Sequence, residues 1–257
     1  MSRPTFFSAE PFAAGQQVTL GEDAAHHMRV RRLTVGTPVA LLDGQGTRGE
    51  GVLIRLAKRN ATVDVASALT EAAPRPVHLI LPVADKERML WLAEKTAELG
   101  AASWRPVQFR RSRSVASRGE GPMFTQKVAA RMTGAIEQSG STWRPTIFPE
   151  ATVERAIAAA PDGVRIVLDG GGTPLATMDL RATVGGGYAP TENDDAFAMH
   201  PVVIVVGPEG GIEQDELDAF VAAGFKSASI GKSVLRFETA AVAALGIVKS
   251  LIAGVPE

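Results

Sequence analysis

Two stretches near the end of the chain decide how it is read: VVIVVGPEGGIEQDEL, Val202 to Leu217, and SIGKSVLRFETAAVAALGIV, Ser229 to Val248. The first reads as a buried strand, a glycine turn and an acidic helix start. The second reads as a strand, a loop carrying Gly231, Arg236 and Glu238, and a nearly all-apolar helix. A short apolar run closed by a turn suits a strand covered on both faces. A helix apolar on most sides is buried in a core or an interface. Two such strand-to-helix loops in one α/β domain imply a small-molecule site built largely from backbone.

Working outward, the same alternation runs upstream. Residues 77–83, 104–109, 145–148, 164–168 and 202–206 read as strands. Residues 86–99, 124–138, 153–159, 214–223 and 238–252 read as helices. In the first helix Met89, Leu92, Ala93, Thr96 and Leu99 share a side, and Gly100 is placed to end it. In the second, Phe124, Val128, Met132 and Ile136 recur every fourth residue. Strands alternating with helices predict a mostly parallel sheet covered by helices, so the fold class is α/β. Residues 1–72 differ. Short runs at 17–20, 38–42, 49–54 and 61–66, separated by turn residues, predict a small β-barrel with a short helix at 23–32. The proline-bearing segment 71–76 is a linker, which divides the chain into 1–72 and 73–257. Residues 183–200, polar and glycine-containing, read as a surface loop.

The chain has 257 residues, 45% of them hydrophobic and 21% charged, with a formal net charge of −1. That is enough for one large or two modest domains. No long uncharged apolar run suggests a membrane span, and the first residues lack the apolar region of a signal peptide. A cytoplasmic protein is expected. With no cysteine, disulfides, thiolate metal sites and cysteine nucleophiles are excluded. The near-zero net charge hides an asymmetry. Residues 101–144 carry eight Arg or Lys against two Glu, and residues 150–220 carry thirteen acids against three Arg. One part of the surface is thus expected to face phosphate while another stays away from it.

Gly207-Pro-Glu-Gly-Gly211 has neither dinucleotide-fingerprint nor P-loop spacing. Glu213, Asp215 and Glu216 in the following helix start disfavour an anionic ligand, so a cation such as the sulfonium of S-adenosylmethionine is the better match. Arg236 and Glu238 form a charged pair at the mouth of the apolar helix. They are read either as site residues or as a dipole-stabilising Glu with a solvated partner. His26, His27, Arg29, Arg31 and Arg32 form one basic cluster, and Arg110, Arg111 and Arg113 a second. Both suit RNA phosphates or a solvated face. The adjacent histidines lack zinc-helix spacing, so no metal is expected. Ser139-Gly140-Ser141 offers no Ser-His-Asp setting.

In order, LPVADKERMLWLAEKTAELG (81–100), FRRSRS (109–114), AIEQSGSTWRPTI (135–147), VVGPEGG (205–211) and IGKSVLRFETA (230–240) resemble the ribosomal RNA small subunit methyltransferase E family. HHMRVRRLTVG (26–36) resembles that family's N-terminal motif. The resemblance covers nearly the whole chain. Two segments depart from the family pattern: Ser141–Arg144, and Asp169-Gly-Gly-Gly172. The resemblance implies a PUA-like β-barrel, binding RNA, at 1–72 and a SPOUT methyltransferase domain with a C-terminal trefoil knot at 73–257. It further implies a homodimer that uses S-adenosylmethionine to methylate N3 of uridine 1498 in 16S ribosomal RNA. Leu168, Gly207, Glu209, Gly210, Gly211, Ile230, Gly231 and Leu235 then hold the cofactor. Arg236 and Glu238 are the catalytic candidates, with Glu209 a second candidate proton acceptor. Arg29, Arg31, Arg32, Arg110, Arg111 and Arg113 hold RNA or the small ribosomal subunit. The rival readings are a ribose 2′-O-methyltransferase of the same superfamily and a non-catalytic RNA-binding assembly factor.

Overall fold

The computed structural model describes residues 3–112, 121–180 and 200–253. They form two compact units. The first runs to Ala73 and also includes Thr133–Arg144; the second comprises Pro74–Met132 and the chain from Pro145 onward. A single division at residue 72 does not anticipate that Thr133–Arg144 packs with the first unit.

In the first unit the strands are β1 (Thr5–Phe7), β2 (Gln17–Leu20), β3 (Pro38–Leu42), β4 (Thr47–Leu56) and β5 (Ala61–Thr70), in the order β1-β3-β4-β5-β2. All pairings are antiparallel except β1 with β3. Alternate residues of β4 and β5 point inward, and Phe6, Val18, Leu20, Val39, Leu41, Leu53 and Val63 make a core. Helix α1 (Glu22–Val30) closes it with Ala25 and Met28. β1 is absent from the pattern reading because a single apolar triplet is too short to show alternation.

In the second unit the strands are β6 (Val77–Pro82), β7 (Ser103–Gln108), β8 (Thr146–Ile147), β9 (Ala151–Thr152), β10 (Val164–Pro174), β11 (Val202–Val205) and β12 (Lys226–Ser229). They make one parallel sheet in the order β12-β10-β11-β6-β7-β8, with β9 also paired to β7. The unbroken apolar runs of β6 and β11 follow from burial on both faces. On one face Ile80, Val107, Val167, Val203 and Val205 pack against α4 (Val153–Ala158) and Phe220 of α5 (Gln214–Ala222). On the other, α2 (Lys86–Glu98) packs against α6 (Phe237–Ile252), and α6 packs on β6. Asp85 caps α2 by accepting from the N–H groups of Glu87 and Arg88, each at 3.1 Å. Gly100 ends that helix at φ +70°. Helix α3 (Pro122–Ser139) buries Phe124, Val128, Met132 and Ile136, the fourfold stripe of the sequence. Residues 183–199, most of the expected loop, lie outside the described residues.

Strand order places the site. The chain goes from β10 to its neighbour β11, then returns past β10 to β12 on its far side. Three adjacent strands therefore end at one edge of the sheet, where the direction of strand addition reverses. Loops at such a point diverge and leave a crevice.

Candidate active site

The crevice is a cavity of about 420 Å³, walled by Leu168–Gly170 where β10 bulges, Val206–Ile212 after β11 and Ala228–Leu235 at and beyond the end of β12, with Phe237 and Ala240 of α6. All eight residues expected at a cofactor, Leu168, Gly207, Glu209, Gly210, Gly211, Ile230, Gly231 and Leu235, line it. The wall owes its shape to local backbone. β10 shifts register against β12 between Leu168 and Thr173, so residues 169–172 bulge out of the ladder. Asp169 folds that bulge by accepting from the N–H of Gly171 at 2.9 Å. Gly211 has φ +77°, a left-handed turn that favours glycine. The strand before the second motif ends at Ser229, so Ile230 and Gly231 belong to the loop rather than to a strand.

The acidic helix start has a different role from the one its sequence suggests. Glu213, Asp215 and Glu216 do not line the cavity. Arg110 bonds Glu213 at 3.1 Å and also pairs with Asp215, which holds the Asp215 carboxyl below its usual range. The Arg110 N–H donates to the buried Glu216 at 2.9 Å, and Glu216 in turn accepts from the Glu213 N–H at 3.1 Å, forming the cap of α5. Arg111 donates to the Gly210 carbonyl at 3.1 Å and lies 3.5 Å from Glu213. Basic and acidic segments that look separate along the chain thus meet at the sheet edge. Exposed ion pairs of this kind are screened by water and add little stability, so their consequence is geometric: they fasten the end of β7 to the cavity loop. The cavity's own charges are Asp169, Glu209 and Lys232.

Arg236 and Glu238 are not a pair. Arg236 is exposed, caps α6 through its carbonyl, which accepts from the Ala240 N–H at 2.9 Å, and has no ion pair among the described residues. Glu238 is buried in the first turn of α6 with its Oε1 3.9 Å from the Arg88 Nε. The same guanidinium donates to the Glu209 Oε1 at 3.1 Å. Glu238 Oε2 is buried and accepts no hydrogen bond among the described residues. A carboxylate so enclosed depends on that nearby cation, because an uncompensated buried charge is costly. Arg88 was legible only as one charge in the Lys-Glu-Arg start of α2, where charges are ordinarily solvated. Asp169 and Phe237 are further cavity residues that motif spacing did not single out, and Lys232 lines the cavity from within the second motif.

In the first unit, Arg29 donates to the carbonyls of Ala57 and Lys58, with 2.8 Å to Ala57. It anchors the turn between β4 and β5, so phosphate is not its only available partner. Arg31 and Arg32 are exposed at the end of α1. His27 packs edge-on against Phe6 at 5.8 Å. Arg113 lies outside the described residues. No group of three or more metal-ligating side chains occurs among the described residues.

A cavity bounded by backbone at parallel strand ends, with Asp169 and Glu209 on its wall, has the form of a small-molecule site in an α/β fold. The model of the RNA methyltransferase domain matches residues 71–249, that of the RNA methyltransferase PUA domain matches residues 20–66, and the chain belongs to this RNA methyltransferase family. Its sequence is 27% identical over 91% of the chain to a ribosomal RNA small subunit methyltransferase E from Synechocystis, covering 73% of that protein. It is 29% identical over 93% of the chain to the protein of the same name from Mycobacterium tuberculosis, covering 87% of it. The fold matches a crystal structure of a ribosomal RNA small subunit methyltransferase E from Neisseria gonorrhoeae bound to S-adenosyl methionine. That match has a TM-score of 0.80 at 25% identity and covers 97% of this chain and 98% of the other.

Proposed function

We propose that the protein methylates N3 of a uridine in 16S ribosomal RNA, with S-adenosylmethionine as methyl donor held in the strand-end cavity. The observation that carries this is the cavity. Its volume of about 420 Å³ falls in the roughly 300–1,000 Å³ range of small-molecule sites. Its walls offer backbone N–H and C=O groups and the carboxylate of Asp169, partners for a ligand that carries both polar groups and a sulfonium. When bound, the donor supplies an electrophilic methyl group. The chain's own work is chiefly alignment. The bulge of β10 and the loops after β11 and β12 hold the donor, and Arg236 stabilises negative charge on the carbonyl oxygens of the base. An always-protonated guanidinium cannot take the N3 proton. Glu209 lines the cavity and Glu238 does not, which makes Glu209 the better-placed acceptor.

The reading extends to partners. Arg31 and Arg32 engage RNA phosphates, the second unit threads the trefoil knot that the resemblance implies, and the protein works as a cytoplasmic homodimer. An experimental trace of the whole C-terminal segment tests the knot.

The decisive experiment incubates the purified protein with the donor and 16S RNA or small subunits and locates the new methyl group. Methylation at uridine N3 is expected; a ribose 2′-O-methyl would overturn the assignment in favour of the rival chemistry. Gly210→Val is the control. A Cβ on Gly210 would lie 3.1 Å from the Arg111 Cβ, so the larger side chain crowds the loop. Calorimetry should find donor binding weakened by about tenfold or more, the scale of one lost close contact. Unchanged binding would remove this loop from the site.

A further inference from the structure

The side chain that reaches both candidate carboxylates comes from neither motif. Arg88, in the first turn of α2, bonds Glu209 on the cavity wall at 3.1 Å through Nη1. It faces Glu238, in the first turn of α6, at 3.9 Å through Nε. Asp85 fixes the backbone under it by capping α2 at the Arg88 N–H itself. The three groups sit in a graded environment: the side chains of Arg88 and Glu209 are 36% and 35% exposed, and that of Glu238 is 11% exposed. One cation thus joins the loop after β11 to the helix start that follows Arg236.

We infer that Arg88 is a positioning residue for methyl transfer, anchored on the buried Glu238 and holding Glu209 at the cavity wall. The inference rests on the proposed function and assigns the two carboxylates different duties. Glu238, enclosed and off the cavity, is the counter-charge that orients the guanidinium. Among the described residues Glu209 is tied by its side chain only through Oε1, on the wall of the cavity. A planar guanidinium presents donors on two edges at once, which a lysine ammonium on a flexible stem does not reproduce. Arg88→Lys therefore keeps the charge and loses the bridge.

The test compares the parent with Arg88→Gln, Arg88→Lys, Glu209→Gln and the Arg88→Gln/Glu209→Gln double variant, in donor affinity, kcat, KM and Tm. Misplacing a reacting group by about 1 Å costs up to about 100-fold in rate, so Arg88→Gln should lower kcat by about 10- to 100-fold in a folded protein. Arg88→Lys should recover only part of that loss. The double variant should be no slower than the slower single variant, because both disrupt one contact. A folded Arg88→Gln enzyme with kcat within about twofold of the parent, or strictly additive losses in the double variant, would overturn the role. So would a fall in Tm with unchanged kcat, which marks a purely structural ion pair. A parent that neither binds the donor nor methylates RNA would overturn the proposed function and this role together. A fully active parent with an equally active Arg88→Gln variant overturns the role alone.

Discussion

Arg236 is an exposed cation with no ion pair among the described residues, set between the cavity residues Leu235 and Phe237. Other arginines of the sequence motifs are committed: Arg29 to two turn carbonyls, Arg110 and Arg111 to the start of α5 and the cavity loop. A charge held beside a ligand site, without an ion pair among the described residues, is available to charge that develops during reaction. Arg236→Ala should therefore lower kcat by about 10²–10³-fold while leaving donor affinity nearly unchanged. Near-normal kcat in a folded variant would end its catalytic assignment. At this scale the sequence was informative about residue type and poor about partnership. Glu238 lies two positions from Arg236, yet helix geometry turns it into the core toward Arg88. Side chains two apart on a helix do not face each other.

At the scale of elements, periodicity was a sound guide wherever a segment was long and one-sided. Helices α2, α3, α5 and α6 and strands β6, β7 and β11 fall within a few residues of their expected positions, and β10 starts where expected but runs on past its bulge to Pro174. The short pieces β1 and β9 escaped, since two or three residues carry little pattern, and β12 lies at Lys226–Ser229, a few residues ahead of the strand read at the head of the second motif. Along α6, Ala240, Ala244, Leu245, Val248 and Leu251 fall on the apolar side of the helix. Of these, Ala244, Leu245 and Val248 are already buried against the chain itself. The face left half-exposed is Val242, Ala243, Gly246 and Ile247, which carries no charge. If this stripe seats a second copy, light scattering at micromolar concentration should give a two-chain mass for the parent and a one-chain mass for Ile247→Glu. A desolvated carboxylate there costs several kcal/mol, enough to dissociate a micromolar dimer. A single-chain mass for the parent would rule the dimer out.

For the whole molecule, charge placement decides how RNA is met. The chain-wide asymmetry suggested separate basic and acidic faces, but Arg110 and Arg111 neutralise acids of α5. Exposed Arg31 and Arg32 remain the better phosphate contacts. Neutralising both should reduce the slope of log affinity against log salt by about 1–2, because each phosphate contact releases roughly 0.7–0.9 counterion. An unchanged slope in a folded double variant would place the RNA elsewhere. Arg110→Ala and Arg111→Ala should act differently, loosening the cavity loop and weakening donor affinity more than the salt slope.

The sequence by itself determined the α/β class, the distinct β-rich first segment, and the loops that line the cavity. Each of these is a local property: hydrophobic period, turn chemistry, glycine in close-packed backbone. Only the tertiary structure decided that Thr133–Arg144 joins the first unit, that β12 lies across β10 from β11, and that Arg88 bridges Glu209 and Glu238. These depend on which distant segments pack together. The strand order that brings three loop ends to one edge of the sheet is a global solution to burying both of its faces, and no single window of residues contains it.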